Sequence, residues 1–418
     1  KGTMIDLELH IGLQKTILSG LVVDDIVSDS KISYLHIRLI PRVKPRIESI
    51  ERRRSTRWIC SDEFYPTAVA SNPARFNEFV YFRIRDISSN GLKVQTSLRN
   101  KFIIPGMTFD CIVNFPMVSQ IKMKFVVKTV RIELDYGKEV LAVGVTYVAD
   151  KFITESVGQY LMQFGSVSSL QELRKEGFSV ESVAQAVQFS YVRTKEDYDR
   201  VLQLRYQAYS YAGKLKEGAK PIDMADSFDS RARIVIGKYK GEIVASARLI
   251  FNQFEDKMEQ ESFVKWPVDL PRRDEMVEIM RACTHPDFRK SNLLMSLFRF
   301  IAITVTQSRR KWIVICATDD MIDLYKKIGF HKVGLNYLHS GLNNLKHNIM
   351  LANVPHAMEG RTVGPIAWNL IWSDVSSYLQ EYEISEMDPI ANIRLAIYRF
   401  FSPLAKLLYY MQKKLKRA

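Results

Sequence analysis

Cysteine is scarce in this chain, and its four residues are widely separated. Cys60, Cys111, Cys283 and Cys316 each lie in an apolar run of a sequence of 418 residues. So few cysteines exclude a disulfide-rich scaffold, and their spacing lacks the paired pattern of a structural zinc site. We therefore expect reduced thiols in the core of a cytosolic protein, and no bound metal.

Long uncharged apolar runs are also missing. No segment approaches the roughly 18 apolar residues that a membrane-spanning helix needs, and no secretory signal is found at the start of the sequence. The sequence predicts a cytoplasmic location, with peripheral contact at the inner face of the membrane as an alternative.

Acidic residues are outnumbered by basic ones. The chain has 60 Lys and Arg against 46 Asp and Glu, a formal net charge of +14, and 47% hydrophobic residues. This composition is globular, and the length allows two or three domains. The charge favours acidic partners such as nucleic acid, anionic lipid or an acidic carrier protein. Nucleic acid is least favoured, because no recognition helix or aromatic platform accompanies the charge.

The first part of the chain is rich in predicted strands. Residues 1–45 contain apolar stretches that predict a β-rich extension. From Phe79 onward apolar and polar residues alternate, as they do again from Ile121 to Val127. Short strands separated by Gly and Pro turns predict an antiparallel β-barrel over 46–165, capped by a helix at about 149–164.

Two short motifs accompany this predicted barrel. Arg53-Arg54-Ser55-Thr56-Arg57 precedes it, and Asp86-Ile87-Ser88-Ser89-Asn90-Gly91 lies within it. Two arginines four positions apart can hold phosphates bidentately and stack on guanine faces. Asp86 and Ser88 can accept from and donate to a base edge, and Gly91 permits a positive φ. Each motif alone has an ordinary alternative, a solvated basic run or a turn.

Together the motifs resemble the PilZ domain, the bacterial receptor for cyclic di-GMP. The resemblance implies that cyclic di-GMP is a regulatory ligand of this chain. It assigns the ligand to Arg53, Arg54, Arg57, Asp86, Ser88, Asn90 and Gly91.

After a polar stretch over 166–188, predicted to be a linker, helices and strands alternate in an α/β layer over 189–360. The predicted helices lie at about 195–211, 292–308 and from Asp319 or Asp320 to Gly329. A hairpin turns at Lys240-Gly241, and strands are predicted at 277–283, 312–317, 330–337 and 346–352.

Four motifs in this part resemble the GNAT acyltransferase superfamily, and within it the long-chain N-acyl amino acid synthases and acyl-homoserine lactone synthases. They are Leu204-Arg205-Tyr206-Gln207-Ala208-Tyr209, then Asp226-Ser227-Phe228-Asp229 with Ala247-Arg248-Leu249, then Glu278-Ile279-Met280-Arg281, and finally Tyr325-Lys326-Lys327-Ile328-Gly329-Phe330. The resemblance implies that the chain is an N-acyltransferase.

Amide formation from a thioester needs a deprotonated amine, a site for the oxyanion and a proton for the leaving thiolate. We predict Glu278 as the general base, the alternative being an ion pair with Arg281. Tyr325 is a candidate proton donor to the thiolate, or it only packs. The catalytic set is therefore Glu278, Tyr325 and Arg281.

Arginines and aspartates of these motifs are the candidate substrate-binding residues. Arg248 and Arg281 could clamp an amino acid carboxylate; alternatively they hold Asp226, Asp229 and Glu278 in place. The predicted substrate-binding set is Arg205, Asp226, Asp229, Arg248 and Arg289.

The identity of the acyl donor depends on one departure from the superfamily pattern. Asn292 and Leu294 stand where GNAT proteins that bind coenzyme A (CoA) have small residues, whose bare backbone admits a pyrophosphate. Acyl-carrier protein presents its thioester without a nucleotide, and its acidic surface suits a basic enzyme. We therefore favour acyl-carrier protein over CoA as donor.

Residues 361–418 are predicted to be a helical C-terminal extension. From position 391 onward the sequence has seven basic residues and no acidic one, interleaved with apolar residues. Such a tail can lie in a membrane interface, bind the carrier protein, or pack on the core.

The sequence thus predicts a multidomain protein, with a PilZ-like barrel followed by a GNAT-like α/β domain. The predicted function is cyclic di-GMP-regulated transfer of a long acyl chain to the amine of an amino acid. Two alternatives stay open: a non-catalytic cyclic di-GMP receptor whose GNAT-like domain binds acyl groups or a protein, and an acyl-homoserine lactone synthase.

Overall fold

The computed structural model describes residues 4–11, 14–22, 27–29, 32–34, 37–39, 55–180, 182–382 and 388–400. The chain divides into two compact units, Lys1–Thr56 and Arg57–Ala418.

The described residues of the first unit form five strands. They are β1 (Met4–Ile11), β2 (Gln14–Val22), β3 (Val27–Asp29), β4 (Ile32–Tyr34) and β5 (Ile37–Leu39). The strands β1, β2 and β5 form an antiparallel sheet, and β3 pairs with β4. Strands were predicted for this stretch from its apolar runs, and β2 contains Ile17, Leu18 and Leu21 from those runs.

The second unit begins with a sheet that closes on itself, which we call the ring sheet. Its strands are β6 (Trp58–Ile59), β7 (Thr67–Ser71), β8 (Phe79–Ile87), β9 (Gly91–Thr96), β10 (Thr108–Phe115), β11 (Ser119–Asp135) and β12 (Lys138–Thr146). Because β8 pairs with both β7 and β9, six strands form a ring in the order β8-β7-β10-β11-β12-β9, and β6 lies on the end of β8. The predicted alternation is confirmed: Val80, Phe82 and Ile84 point into the core.

Helix α1 (Lys151–Phe164) follows the ring sheet, close to the predicted bounds. Asp150 begins it by accepting the N–H of Ile153. The segment after α1 differs from the predicted polar linker. It contains α2 (Leu170–Lys175) and buries seven apolar side chains, so it is a packed bridge. These side chains are Val167, Leu170, Leu173, Phe178, Val180, Val183 and Val187.

Gly158 lets this bridge contact α1. A Cβ at position 158 would lie 2.4 Å from a Val180 methyl carbon and 3.3 Å from Phe178 Cβ. Only glycine therefore permits the bridge to run this close to the helix.

A second, seven-stranded sheet follows the bridge. Its strands are β13 (Gln188–Tyr191), β14 (Arg233–Tyr239), β15 (Glu242–Ile250), β16 (Met276–Thr284), β17 (Trp312–Thr318), β18 (His331–His339) and β19 (Leu345–Asn353), in the order β13-β14-β15-β16-β17-β19-β18. The helices are α3 (Lys195–Tyr211), α4 (Leu293–Gln307), α5 (Ile322–Lys327), α6 (Val354–Met358), α7 (Pro365–Glu381) and α8 (Pro389–Phe400). These bounds match the predicted elements within a few residues.

Strands β16 and β17 part at the centre of this sheet. They pair in parallel from Met276 and Trp312 as far as Ile279 and Ile315, and β16 then bulges at Arg281, whose φ is 56°. A bulge re-aims the backbone and ends regular pairing. The facing edges of the two strands beyond this point are therefore open to a ligand.

The C-terminal extension packs through α7 on helices α4 and α6. Trp368 is fully buried and donates its indole N–H to the carbonyl of Met358. On α8, Ala391 and Leu395 are buried, while Ile390, Ile393 and Ile397 are exposed. The predicted basic tail beyond residue 400 lies outside the described residues. Among the described residues, no helix is both long and apolar enough to cross a membrane.

Candidate functional site

A cavity of about 880 Å³ opens where β16 and β17 part. Its volume is in the upper part of the range of small-molecule sites, about 300–1,000 Å³. Its walls come from the C-terminal part of α3, the loop before α4, strands β16 to β19, and helices α4, α5 and α7. The parting of the two strands thus creates the site.

A large part of the cavity lining is apolar, and we call it the apolar end. Helix α4 contributes four side chains at helical spacing, β17 contributes two, and α7 closes the end. These residues are Leu294, Phe298, Ile301 and Ala302, then Ile313 and Ile315, then Ile371 and Trp372. Trp372 is held by a hydrogen bond of 3.3 Å from its indole N–H to the carbonyl of Ile328.

Another part of the lining, which we call the polar end, rests on a network of ion pairs. Arg281 donates to Asp226 at 2.9 Å and to Glu259 at 3.1 Å. Arg248 is fully buried and also pairs with Asp226 and Glu259. Only Arg281 and Glu259 of these four line the cavity. Both guanidinium groups pair with carboxylates of the protein itself. These contacts are the ones expected if Arg248 and Arg281 hold neighbouring acidic residues in place, which was the alternative to clamping a substrate carboxylate.

Arg205 and Asp229 lie behind this network. Arg205 is fully buried and forms a bidentate pair with Asp229, at 2.7 and 3.1 Å. It also donates to the carbonyl of Met224, and Tyr198 donates to Asp229. Neither Arg205 nor Asp229 lines the cavity. Their geometry attaches the loop that carries Asp226 to α3.

Glu278 is fully buried under the polar end and does not line the cavity. It accepts the backbone N–H of Glu259 at 3.0 Å and the amide of Asn252 at 3.3 Å. These contacts take the place of the ion pair with Arg281 that was the alternative to the general-base role. Burial, reinforced by the negative charge of Glu259, raises the pKa of Glu278 to about 7. The group is therefore poised to exchange a proton near neutral pH.

Glu259 and His339 are cavity residues that the sequence analysis missed. Burial would raise the pKa of Glu259, but the neighbouring His339, Arg281 and Arg248 outweigh it and lower this pKa to about 2. His339 Nε2 lies 3.6 Å from Glu259 Oε1, while its Nδ1 accepts the N–H of Gly341. Glu259 lies in the loop before β16 and His339 at the end of β18. Neither position belongs to a motif or a hydrophobic pattern that would have indicated a site residue in the sequence.

Tyr325 lines the cavity from α5, with its ring against Phe298 and Phe330. Burial raises the pKa of its hydroxyl, so the group stays protonated. A raised pKa also lies further above that of an ordinary thiol, about 8.5. Donating a hydrogen bond to a leaving thiolate is therefore easier for Tyr325 than giving up the proton completely.

The loop before α4 is tied to the bridge. Arg174 of α2 donates to the carbonyls of Arg289 and Lys290, at 2.5 and 3.0 Å. Asn292 accepts the N–H of Val183 at 2.8 Å and donates to Ser182 at 3.1 Å. This explains the departure from the small-residue pattern, because the Asn292 side chain is used to hold the bridge. The Arg289 guanidinium lies 4.3 Å from the Tyr211 ring centre and lines the cavity.

The second candidate site lies on the ring sheet. Arg57 pairs with Asp86 at 2.7 Å, because β6 places Ile59 opposite Asp86. Ser88 is buried, and its hydroxyl donates to the carbonyl of Gly91 at 3.1 Å, so it shapes the turn. Asn90 is exposed at the same turn. Arg53 and Arg54 lie outside the described residues.

The second sheet and the cavity lie mostly within a part of the chain that matches one protein family. Residues 200–352 match the family model described as N-acyl amino acid synthase FeeM. The recognition made from the sequence motifs is confirmed for this part of the chain. No curated protein matches the chain.

Several solved structures resemble parts of the chain. FeeM from uncultured soil microbes is 11% identical over 42% of this chain and 94% of its own, with a TM-score of 0.33. A putative N-acetyltransferase from Lactobacillus plantarum is 14% identical, and the match covers 40% of this chain and 99% of the other, with a TM-score of 0.31. The PilZ domain of YcgR from Escherichia coli, solved with c-di-GMP, is 15% identical. The match covers 24% of this chain and 82% of the other, with a TM-score of 0.22.

Proposed function

We propose that this chain transfers a long acyl chain from a carrier-protein thioester to the amine of an amino acid, under control of cyclic di-GMP. The observation that carries the proposal is the cavity, whose lining combines the charged pair Glu259 and Arg281 with a large apolar group that includes Trp372. An acyl tail gains free energy by leaving water for the apolar end, at about 0.8 kcal/mol per methylene. The polar end suits the amine and the thioester.

The residues around the cavity suggest roles in the reaction. Glu278, with a pKa of about 7, is the proposed final acceptor of the amine proton, reached through water beside Glu259. Tyr325 is the proposed hydrogen-bond donor to the leaving thiolate. Arg281 keeps Glu259 charged at the edge of the cavity, so the polar end attracts a cationic amine.

The donor is proposed to be acyl-carrier protein. The Asn292 side chain is engaged with the bridge, and Leu294 lines the cavity, so neither leaves the bare backbone that a nucleotide pyrophosphate uses. Arg289 and Lys290 line the cavity near the same loop and give its entrance a positive charge. An acidic carrier protein complements that charge.

The regulatory ligand is proposed to be cyclic di-GMP, bound at Arg57, Asp86, Ser88, Asn90 and Gly91 with the help of Arg53 and Arg54. The Arg57 side chain is 37% exposed and free to turn toward a phosphate once it exchanges its contact with Asp86.

The decisive experiment is product analysis with the full chain. Purified protein is incubated with carrier protein loaded with chains of eight to eighteen carbons and with all twenty amino acids, and the products are identified by mass spectrometry. Parallel reactions use the same acyl groups on CoA. We expect N-acyl amino acids from the carrier-protein reactions. A lactone product would support the acyl-homoserine lactone alternative, and no product with any donor would support the non-catalytic receptor.

A further inference from the structure

The end of α3 places one lysine at the edge of the cavity. Gly213, with φ 66°, donates its N–H to the carbonyl of Ser210, and Lys214 donates its backbone N–H to the carbonyl of Tyr209. These two bonds are the Schellman closure of a helix, with glycine as the first residue beyond it. The closure holds the Lys214 backbone beside Tyr209 and Tyr211, which line the same cavity.

The Lys214 ammonium has one neutral partner. It donates to the Thr318 hydroxyl at 3.2 Å, and Thr318 ends β17 opposite His347 on β19. Lys214, Thr318 and His347 all line the cavity. Within the described part of the chain, no carboxylate oxygen lies within 4 Å of this ammonium group. Because an ammonium group has three N–H donors, two remain for a ligand.

Of the other cavity cations, Arg281 and Arg289 have side-chain partners of their own, and Lys290 is exposed. Among the described residues, the Lys and Arg side chains that line the cavity are Lys214, Arg281, Arg289 and Lys290. Arg281 is paired with Asp226 and Glu259. Arg289 stacks on Tyr211, and Lys290 belongs to the loop at the start of α4. Burial, followed by nearby groups that include Lys214 and Arg281, lowers the pKa of His347, so His347 is neutral and does not compete for an anion.

We propose that Lys214, supported by Thr318, binds the carboxylate of the amino acid acceptor. This inference rests on the proposed function and replaces Arg248 and Arg281 as the carboxylate clamp. The carboxylate lies against the Lys214 ammonium and the Thr318 hydroxyl, and the substrate amine points toward Glu259 and the open edge of β16. Lys214 thereby selects acceptors that carry a carboxylate over amines that do not.

The test compares two acceptors that differ only in charge. One is the amino acid that the wild-type protein acylates fastest, and the other is its primary amide, a neutral counterpart. For Lys214→Met we expect KM for the amino acid to rise about 10- to 100-fold, the size of one lost charged hydrogen bond. We expect KM for the acyl-carrier protein to stay within about twofold, and the primary amide to react equally well with both proteins.

Matched variants separate this role from a structural one. Lys216→Met changes an exposed lysine two positions along that does not line the cavity, and it should leave both KM values unchanged. Lys214→Arg retains the charge and should keep the preference for the amino acid over its amide. The inference is wrong if Lys214→Met slows both acceptors equally, or if the wild-type protein acylates the amide as efficiently as the amino acid. A wild-type protein that acylates no acceptor would instead refute the proposed function itself.

Discussion

At the scale of single residues, the pKa of Glu278 favours a catalytic role but its position does not. Its pKa near 7 suits a general base, yet it is fully buried and lies beneath the cavity. A proton can reach it only through an intermediary such as water beside Glu259. Catalytic hydrogen bonds often form only in the complex with substrate, so this position does not remove the role.

Replacing Glu278 tests that role. Glu278→Gln keeps the size of the side chain and removes the proton acceptor, so we expect kcat to fall by about 10²–10⁴-fold with little change in KM. The measurement is the steady-state rate of amide formation, with Glu255→Gln, an exposed residue, as the control. Full activity in folded Glu278→Gln protein would refute the general-base role. Glu278 would then only hold the loop that carries Glu259, through the backbone N–H of that residue.

The raised pKa of Glu278 also predicts how stability depends on pH. Its carboxyl group holds a proton up to about pH 7 in the folded protein, against an ordinary value of 4.5. Between these values the folded state binds more protons than the unfolded state, so stability falls as pH rises, by at most about 1.4 kcal/mol per unit. Glu278→Gln has no such group. Urea unfolding from pH 5 to pH 8 should therefore show its stability relative to wild type increasing with pH; a constant difference would contradict the shift.

Arg57 gives the residue-scale test of the messenger site. Loss of its guanidinium removes a bidentate contact to phosphate, and cyclic di-GMP should bind more weakly by about 1.5–3 kcal/mol, or roughly 10- to 100-fold. Calorimetry on Arg57→Ala measures this, with the exposed Arg131→Ala on β11 as the matched control. Unchanged affinity in Arg57→Ala would mean that the site lies elsewhere.

At the scale of elements, most strands and helices could be predicted because their signals are local. Helix α3 begins after Thr194, which caps it, and the alternation of β8 follows its burial. The site was harder to predict. Asp226 was an expected alternative partner of Arg248 and Arg281, but Glu259, which pairs with both, lies in a loop that carries no motif. Which of two roles an arginine has depends on those tertiary contacts.

The bridge was predicted to be a linker from its polar composition. Val167, Leu170 and Leu173 recur at every third residue and Phe178 and Val180 alternate, but each run is too short to predict a packed element. They are buried because the bridge runs between α1 and the second sheet, where Tyr239 donates to the carbonyl of Val167. Sequence alone does not indicate that a short segment has two neighbours to pack against.

Helix α2 gives the element-scale prediction. Arg174→Met removes the hydrogen bonds from α2 to the carbonyls of Arg289 and Lys290. The loop before α4 then loses its support, and we expect KM for the acyl-carrier protein to rise about fivefold or more, while KM for the amino acid changes little. The control is Lys175→Met, an exposed neighbour on the same helix. A rise in both KM values would indicate general damage rather than a loosened donor site.

At the scale of the whole molecule, the ring sheet and the second sheet share one continuous core. Buried residues from β8, α1, the bridge, β15 and α4 belong to the same apolar cluster. Trp58, next to Arg57, donates its indole N–H to Glu172 of α2 at 2.5 Å and packs edge-on against Phe178. Two residues further along α2, Arg174 holds the loop before α4. A physical connection therefore runs from the proposed messenger site to the proposed donor site.

This connection predicts a messenger-dependent rate. A ligand that draws Arg57 away from Asp86 is expected to move β6 and Trp58, and with them α2. The ligand changes activity only if its affinity differs between the protein with α2 in its present position and the protein with α2 moved. We expect saturating cyclic di-GMP to raise the rate of amide formation severalfold. Trp58→Phe keeps an aromatic ring at this position but removes the N–H-bearing part of the indole and with it the donor to Glu172, so it should bind the messenger normally and respond less. Equal rates with and without cyclic di-GMP in the wild-type protein would restrict the messenger to a role in localisation. The contacts through α2 would then hold the loop before α4 in the same way whether or not the messenger is bound.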